Sequence, residues 1–218
     1  MTLTEQLTNL RNQFFATQPE AITEPMIQAT TDLINSQIAE QSLSVGAKIP
    51  NFTLPNAVGN KIDIKSLLEK GVVVISFYRG GWCPYCNLEL RALQQSLAEI
   101  ETQGATLVAI SPETPDNSLS TKEKNELTFE VLSDISNQVA KQFGLVFTLP
   151  ETVRPIYQQF GIDLPAYNGD SSFELPIPAT YIVTPDGTIS YSFVNPDYTQ
   201  RLDPTAIITA IKQITVNV

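Results

Sequence analysis

Val72-Val73-Val74-Ile75-Ser76-Phe77-Tyr78-Arg79-Gly80-Gly81-Trp82-Cys83-Pro84-Tyr85-Cys86-Asn87-Leu88-Glu89-Leu90 passes from an apolar block, through a glycine break, to two cysteines and an amphipathic continuation. The block Val72–Tyr78, bounded by Gly71 and Gly80, predicts a buried strand. Pro84–Gln103 predicts a helix, and Pro84 suits its first position, where the missing N–H would have been unpaired anyway. Cys83 then becomes the N-cap residue and Cys86 falls in the first turn. The free N–H groups of Tyr85, Cys86 and Asn87 point towards Cys83. With the positive end of the helix, they favour a thiolate over a thiol. Cys86, Leu90, Leu93, Leu97 and Ile100 recur at helical spacing. Cys86 therefore begins the core-facing stripe, and Cys83 is expected to be the accessible sulfur. An exposed attacker followed by a shielded partner suits thiol–disulfide exchange. The first thiolate forms a mixed intermediate, and the second releases it by closing an intramolecular disulfide.

Two blander readings compete. Free cysteine is among the most buried residue types, so both thiols can be inert core groups. The pair can also be half of a zinc site completed by carboxylates or a second subunit. The strand–CxxC–helix setting, with proline inside the motif, favours redox chemistry over both.

Composition narrows the chemistry further. The 218 residues include two cysteines and no histidine. Without an imidazole there is no Ser/His/Asp or Cys/His machinery. A Cys/His zinc site lacks ligands within one chain, and a secreted disulfide framework needs more cysteines in a shorter chain. Chemistry by the two thiols themselves remains, with no metal or organic cofactor expected. The formal net charge of −10, with Lys and Arg scattered, argues against nucleic acid or an anionic membrane as partner. The longest undiluted apolar run, Val72-Val73-Val74-Ile75, falls far short of the about 20 residues a spanning helix needs. The start, MTLTEQLTNLRNQFF, has no basic patch leading into an apolar stretch. No secretory signal is expected, which places the chain in the cytoplasm.

Outward from the cysteines, Leu3, Leu7, Leu10 and Phe14 form one helical stripe. Met26, Ala29, Leu33, Ile34 and Ile38 form another, with Pro19 and Pro25 as interruptions. Residues 1–45 therefore predict a helical extension lying on the main domain or on a second copy in a homodimer; simple packing is the plainer reading. Residues 46–60 are turn-rich. Beyond Gln103, strand and helix alternate: strand at Thr106–Ser111, helix at Ser118–Glu126, strand at Thr128–Leu132, helix at Asn137–Phe143. Alternation implies crossover connections and a parallel-centred sheet with helices on its faces, the α/β class, for a domain spanning 46–218. Residues 145–177, with Pro150, Pro155, Pro165, Gly169 and Pro176, show no period. They are expected to be functional or loosely ordered, as a lid or a partner-docking loop. Thr180–Thr184 and Thr188–Val194 predict a hairpin across Pro185-Asp186-Gly187, and Asp203 caps a final helix, Pro204–Ile214.

Phe77 to Leu90, followed by Val108-Ala109-Ile110-Ser111-Pro112-Glu113, resembles the peroxiredoxin-like proteins of the alkyl hydroperoxide reductase/thiol-specific antioxidant branch of the thioredoxin fold. Ala47–Leu54, reading AKIPNFTL, resembles that branch's opening segment. Pro178-Ala179-Thr180-Tyr181-Ile182-Val183 with Asp186-Gly187 resembles its late strand and hairpin. The resemblance implies a thioredoxin-like fold, with a mixed central sheet flanked by helices, and a redox-active cysteine. The family pattern Pro-x-x-x-Thr-x-x-Cys sets its Pro on Arg79, its Thr on Cys83 and its peroxide-attacking cysteine on Cys86, so that Pro and Thr are both absent here. The family's arginine ahead of the late strand falls on Pro178, which instead matches the cis-proline of thioredoxins. Trp82 before the first cysteine is thioredoxin-like too. The family frame therefore names Cys86 as the attacker, whereas the helix argument names Cys83.

By the same resemblance Pro178 is expected to be cis, pressing on the disulfide and leaving a backbone edge free for a peptide. Trp82 is expected to shield the cysteines. Arg79 either steadies a thiolate and orients a peroxide or is a solvated loop charge. Arg154 and Arg201 are further candidates from loops, and Glu130 and Asp134 are expected on a solvated face. Together these readings describe a thiol redox enzyme whose Cys83/Cys86 pair cycles between dithiol and disulfide, supported by Trp82, Pro178 and Arg79. The resemblance implies antioxidant peroxide reduction, with electrons returned by thioredoxin or a similar small thiol-redox protein. The site residues point to the alternative, reduction of protein disulfides. A binding module with structural cysteines is the third reading.

Overall fold

The computed structural model describes residues 1–216. The chain opens with α1 (Leu3–Thr17), α2 (Glu20–Asn35) and the short α3 (Ile38–Gln41), then a small hairpin of β1 (Thr53–Pro55) and β2 (Lys61–Asp63). α4 (Ile64–Leu68) leads into β3 (Val72–Phe77), α5 (Pro84–Thr102), β4 (Ala105–Ser111), α6 (Pro115–Lys124) and β5 (Glu130–Ser133). After a 3-10 turn at Ile135–Asn137 come α7 (Gln138–Gln142), β6 (Val146–Thr148), α8 (Arg154–Gln159), α9 (Leu164–Asn168) and β7 (Glu174–Pro176). β8 (Ala179–Val183), β9 (Ile189–Val194) and α10 (Pro204–Val216) follow.

The central sheet has the order β5-β4-β3-β8-β9. β3–β4 and β4–β5 pair in parallel, as the alternation of strand and helix requires. β8 pairs antiparallel with β3, and β9 antiparallel with β8 across the Pro185-Asp186-Gly187 turn, so the sheet is mixed. β3 is the central strand and every one of its residues is buried, which is why its sequence is apolar without alternation. Val72 and Val74 face Leu90, Leu93 and Ile100 of α5 together with Ile207 and Ile211 of α10. Val73, Ile75 and Phe77 face Ile64, Leu68, Phe143 and Tyr181 on the other side. Each such side chain contributes about 1.5–3 kcal/mol on full burial. Ser76 shares the α5 face, with its hydroxyl 3.5 Å from Glu89. Among the described residues, no helix is long and apolar enough to cross a membrane.

The extension lies on this core. A capping box starts α1: the Thr2 hydroxyl accepts from the Glu5 N–H at 3.2 Å, and the Glu5 carboxylate accepts from the Thr2 N–H at 2.8 Å. Leu3 and Leu7 sink into the cluster made by α5 and α10. The Leu3 N–H donates to the Asp203 carboxylate at 3.2 Å. Pro19 is the N-cap of α2, but Pro25 lies inside that helix rather than breaking it. As the sixth residue of α2 it leaves the Ala21 carbonyl without its helical donor. Ile22 and Met26 are buried against Leu149, Val153, Ile156 and Tyr157, whereas Ile34 is exposed.

Four expectations are corrected here. Residues 46–60 contain β1, and residues 145–177 are built rather than loose. β6 and β7 pair antiparallel, the Leu149 N–H donates to the Phe173 carbonyl at 2.8 Å, and Leu149, Val153, Leu164 and Leu175 are buried. Prolines and short elements hide the period, while packing against α2 supplies the order. Asp134 is buried rather than solvated, because its carboxylate accepts from the N–H groups of Val139 (3.0 Å) and Ala140 (2.8 Å) at the start of α7. Glu130 is half-buried and accepts from Asn56 Nδ2 at 2.9 Å.

Candidate active site

β3 ends as the Tyr78 N–H donates to the Ile110 carbonyl at 2.9 Å. The loop then turns so that the Cys83 N–H donates to Gly80 at 3.1 Å and the Cys83 carbonyl accepts from the Asn87 N–H at 3.1 Å, the first bond of α5. Cys83 is the extended N-cap residue and Pro84 occupies the first turn. Both sulfurs are free thiols.

The expected contrast in exposure is not there: Cys83 is 1% exposed and Cys86 is fully buried. The helix start is as expected, but elements remote in sequence roof it. Cys83 lines a cavity of about 410 Å³ whose walls include Phe14 of α1, Met26 of α2, Tyr157 of α8, Trp82 and Tyr198. Trp82 lines the same cavity, with its ring 5.5 Å from that of Tyr157.

Arg79 is buried and donates to the Tyr157 hydroxyl, so it is not a solvated loop charge. Its guanidinium lies 4.4 Å from the Tyr198 ring centre and 4.9 Å from that of Trp82. Arg201, from the loop before α10, also arrives at the site. Its Nη2 is 3.2 Å from Cys86 Sγ, and its Nε holds Glu89 at 2.6 Å. Arg154 goes elsewhere, over the Phe173 ring at 4.2 Å. Pro178 lines a neighbouring cavity of about 230 Å³ with Arg79, Tyr157 and Tyr198. It is not cis, since none of the described peptide bonds is. The chain runs extended from β7 into β8, the Pro178 carbonyl accepts from the Asn195 N–H at 3.4 Å, and the ordinary trans preference holds.

Burial pushes the Cys83 thiol up, but four effects overcome it: the hydrogen bond with the Cys86 thiol, the charges of Arg79 and Arg201, and the Cys86 backbone N–H. Cys83 is thereby lowered below the usual thiol range. Burial pushes Cys86 up, and so does its place as hydrogen-bonded neighbour of an anionic Cys83. The pair thus releases one proton readily and keeps the other. Burial outweighs the Arg201 charge on Glu89 and pushes that carboxyl up to about 7. Glu113 also rises to about 7 through burial, although the Gly81 N–H donates to it at 2.9 Å and the Thr121 hydroxyl at 3.2 Å.

Sequence reasoning did not single out Glu89 or Glu113. For Glu89 a signal existed: it stands three residues after Cys86, on the buried side of α5. Among the described residues, no three His, Cys, Asp or Glu side chains come together as a metal-ligand set. Chemically, the arrangement offers an anionic sulfur that shares a cavity wall with the Arg79 guanidinium, and beside it a protonated sulfur contacted by Arg201.

The family described as AhpC/TSA matches residues 45–192. The chain is similar to the bcp protein of Haemophilus influenzae, with 36% identity over 103 residues, 47% of this chain and 66% of that protein. It is similar to peroxiredoxin Bcp of Escherichia coli K12, with 30% identity over 103 residues, 47% of this chain and 65% of that protein. The matched stretch thus spans just under two thirds of these relatives. In three dimensions the chain resembles the peroxidoxin BcpB of Mycobacterium tuberculosis, with a TM-score of 0.63 at 20% identity, covering 79% of this chain and 98% of that one. That likeness bears out the thioredoxin-like fold.

Proposed function

This chain belongs to the AhpC/TSA family, and on that premise we propose that it reduces hydroperoxides with its Cys83/Cys86 pair and recovers electrons from thioredoxin or a similar small thiol-redox protein. The observation that carries this reading is that Cys83 and the buried Arg79 guanidinium share the walls of one cavity of small-molecule size, with the charges of Arg79 and Arg201 acidifying the thiol. The cavity has room for a hydroperoxide, whereas exchange with a protein dithiol requires the roof over the buried sulfurs to open.

Cys83 is the attacking residue. Its thiolate bonds to the terminal oxygen of R–O–O–H and the O–O bond breaks. Sulfur is oxidised to the sulfenic acid, and the alkoxide leaves and takes a proton from solvent to become the alcohol. Arg79 lines the same cavity, so its charge favours the developing anion. The Cys86 sulfur then attacks Cys83. The S–S bond forms, and the sulfenic oxygen departs as water with the Cys86 proton. A donor dithiol returns two electrons by exchange and is itself oxidised to a disulfide.

The test couples the reduced protein to thioredoxin, its reductase and NADPH, and follows NADPH oxidation on adding hydroperoxide. Steady turnover is expected, lost in Cys83→Ser. The Trp82-Cys83-Pro84-Tyr85-Cys86 motif favours a second reading, reduction of protein disulfides. Rapid reduction of insulin disulfides with no peroxide consumed would establish that reading instead.

A further inference from the structure

Arg79 and Arg201 are both buried near the thiols, but they are held in different ways. Arg201 is ion-paired, with its Nε 2.6 Å from Glu89. Arg79 has no carboxylate within ion-pair distance among the described residues. Its Nη2 donates to the Tyr157 hydroxyl, and its Nε has no hydrogen-bond partner. The ring centres of Tyr198, Trp82 and Tyr157 lie 4.4, 4.9 and 5.7 Å from its guanidinium carbon. Ring faces attract a cation without selecting one of its nitrogens, whereas a hydrogen bond selects one and sets its direction. The Tyr157 hydroxyl is therefore the contact that aims this guanidinium.

A phenol also differs from a carboxylate in the charge it leaves. Burial pushes the Tyr157 hydroxyl up, so it accepts the bond while neutral. The titratable groups facing Arg79 are the phenols of Tyr157 and Tyr198 and the thiols of Cys83 and Cys86. With no carboxylate to cancel it, the charge of Arg79 is free to act on Cys83, which it helps to acidify. Tyr157 is itself firmly seated. Val153, Ile156 and Tyr157 are buried against Ile22 and Met26 of α2, and the Tyr157 carbonyl accepts from the Ile162 N–H at 2.9 Å.

We propose that Tyr157 is a positioning residue of this site: its hydroxyl holds the Arg79 guanidinium at the wall of the Cys83 cavity, and residues 145–177 serve to deliver that hydroxyl. The proposal rests on the peroxidase reading above for what Arg79 does in turnover. The chemical step is unchanged, and Tyr157 acts on it through Arg79.

The test uses Tyr157→Phe in the reduced full-length protein, which keeps the ring and removes the hydroxyl. Iodoacetamide alkylation of Cys83 is followed against pH, with peptide mapping of the label. Its half-maximal pH should rise by about 1 pH unit, the low end of what a neighbouring opposite charge supplies. In turnover, kcat/KM for hydrogen peroxide should fall about 10-fold or more, since a misplacement of about 1 Å can cost about 100-fold. Arg79→Met should lower kcat/KM as well, and adding Tyr157→Phe to it should lower it no further, because no guanidinium is left to aim. Additive losses, or an unchanged alkylation midpoint in Tyr157→Phe, would overturn the positioning role. Tyr157→Phe strands a buried donor, and if it fails to fold, NMR of the wild type with 15N-labelled arginine serves instead. The two Nη groups of Arg79, assigned by their loss in Arg79→Met, should give separate signals, because the bond to Tyr157 stops their rotation. One averaged signal would overturn the proposal. A wild-type protein that consumes no hydroperoxide, yet whose Cys83 midpoint rises in Tyr157→Phe, would sink the peroxidase reading and leave the placement of Arg79 by Tyr157 standing.

Discussion

Arg201 sets its Nη2 3.2 Å from the sulfur of Cys86, the thiol that burial holds protonated. The same guanidinium grips Glu89 at 2.6 Å, and all three side chains are buried. One cation therefore serves two groups that compete for it. In the proposed cycle, where Cys86 attacks to close the disulfide, Arg201 is the group placed to favour negative charge on its sulfur.

Arg201→Ala should cost about 3–5 kcal/mol of stability, because it strands the buried carboxyl of Glu89. Urea unfolding of the reduced protein measures this. Glu89→Gln in the Arg201→Ala background should restore part of the loss. A double variant no more stable than Arg201→Ala alone would show that the charge of Glu89 is not the source of the cost.

Alkylation of Cys83 should rise with pH and reach its plateau before the ordinary thiol value of about 8.5. The lowered folded value means that, between it and about 8.5, the native state binds fewer protons than the unfolded chain. Stability from this group therefore grows with pH across that window and is lost as pH falls through the folded value. Cys83→Ser should remove that rise. Peptide mapping of the label distinguishes Cys83 from Cys86, and preferential labelling of Cys86 would restore the frame in which Cys86 attacks.

Glu113 acts with the opposite sign. Its carboxyl rises from 4.5 to about 7 in the fold, so between those values the native state holds a proton that the unfolded chain has released. Its contribution is fully present below 4.5 and disappears as pH rises through about 7. Glu113→Gln should make the slope of stability against pH more positive in that window, by up to about 1.4 kcal/mol per pH unit. Urea midpoints across the window check it; superimposable slopes for the two proteins would contradict the shift.

Gly80→Ala should destabilise by about 1–3 kcal/mol. Gly80 has φ +150, and a Cβ there would lie 2.2 Å from Trp82 Nε1. The indole must move off its seat beside the thiols. The expected signature is a red-shifted Trp82 emission together with faster labelling of Cys83. Unchanged emission would mean that the loop, not the indole, gives way.

Much of this was legible in the sequence for a local reason. β3, the Cys83 N-cap, Pro84 and the stripe from Cys86 to Ile100 are neighbours in the chain, so their periodicity and caps speak directly. The antiparallel partner β8 was readable from its hairpin. What escaped was whatever depends on distant packing. The burial of Cys83 comes from Phe14, Met26, Tyr157 and Tyr198 converging from separate elements. Asp134 looks like a surface acid until α7 offers it N–H groups. Pro178 resembled a cis-proline by position, yet the β8–β9 ladder carries it through in trans. Arg201 was only one of several loop arginines until the fold chose it over Arg154.

The bond from Leu3 to Asp203 joins the beginning of α1 to the residue before α10. On the ribosome, the first helices emerge long before their seat exists. α1 can rest on α5 once residue 102 has emerged, but the Leu3 N–H gains its carboxylate partner only when residue 203 follows. The roof over Cys83, which takes Phe14 from α1 and Tyr198 from the approach to α10, therefore closes only when segments far apart in the chain have met.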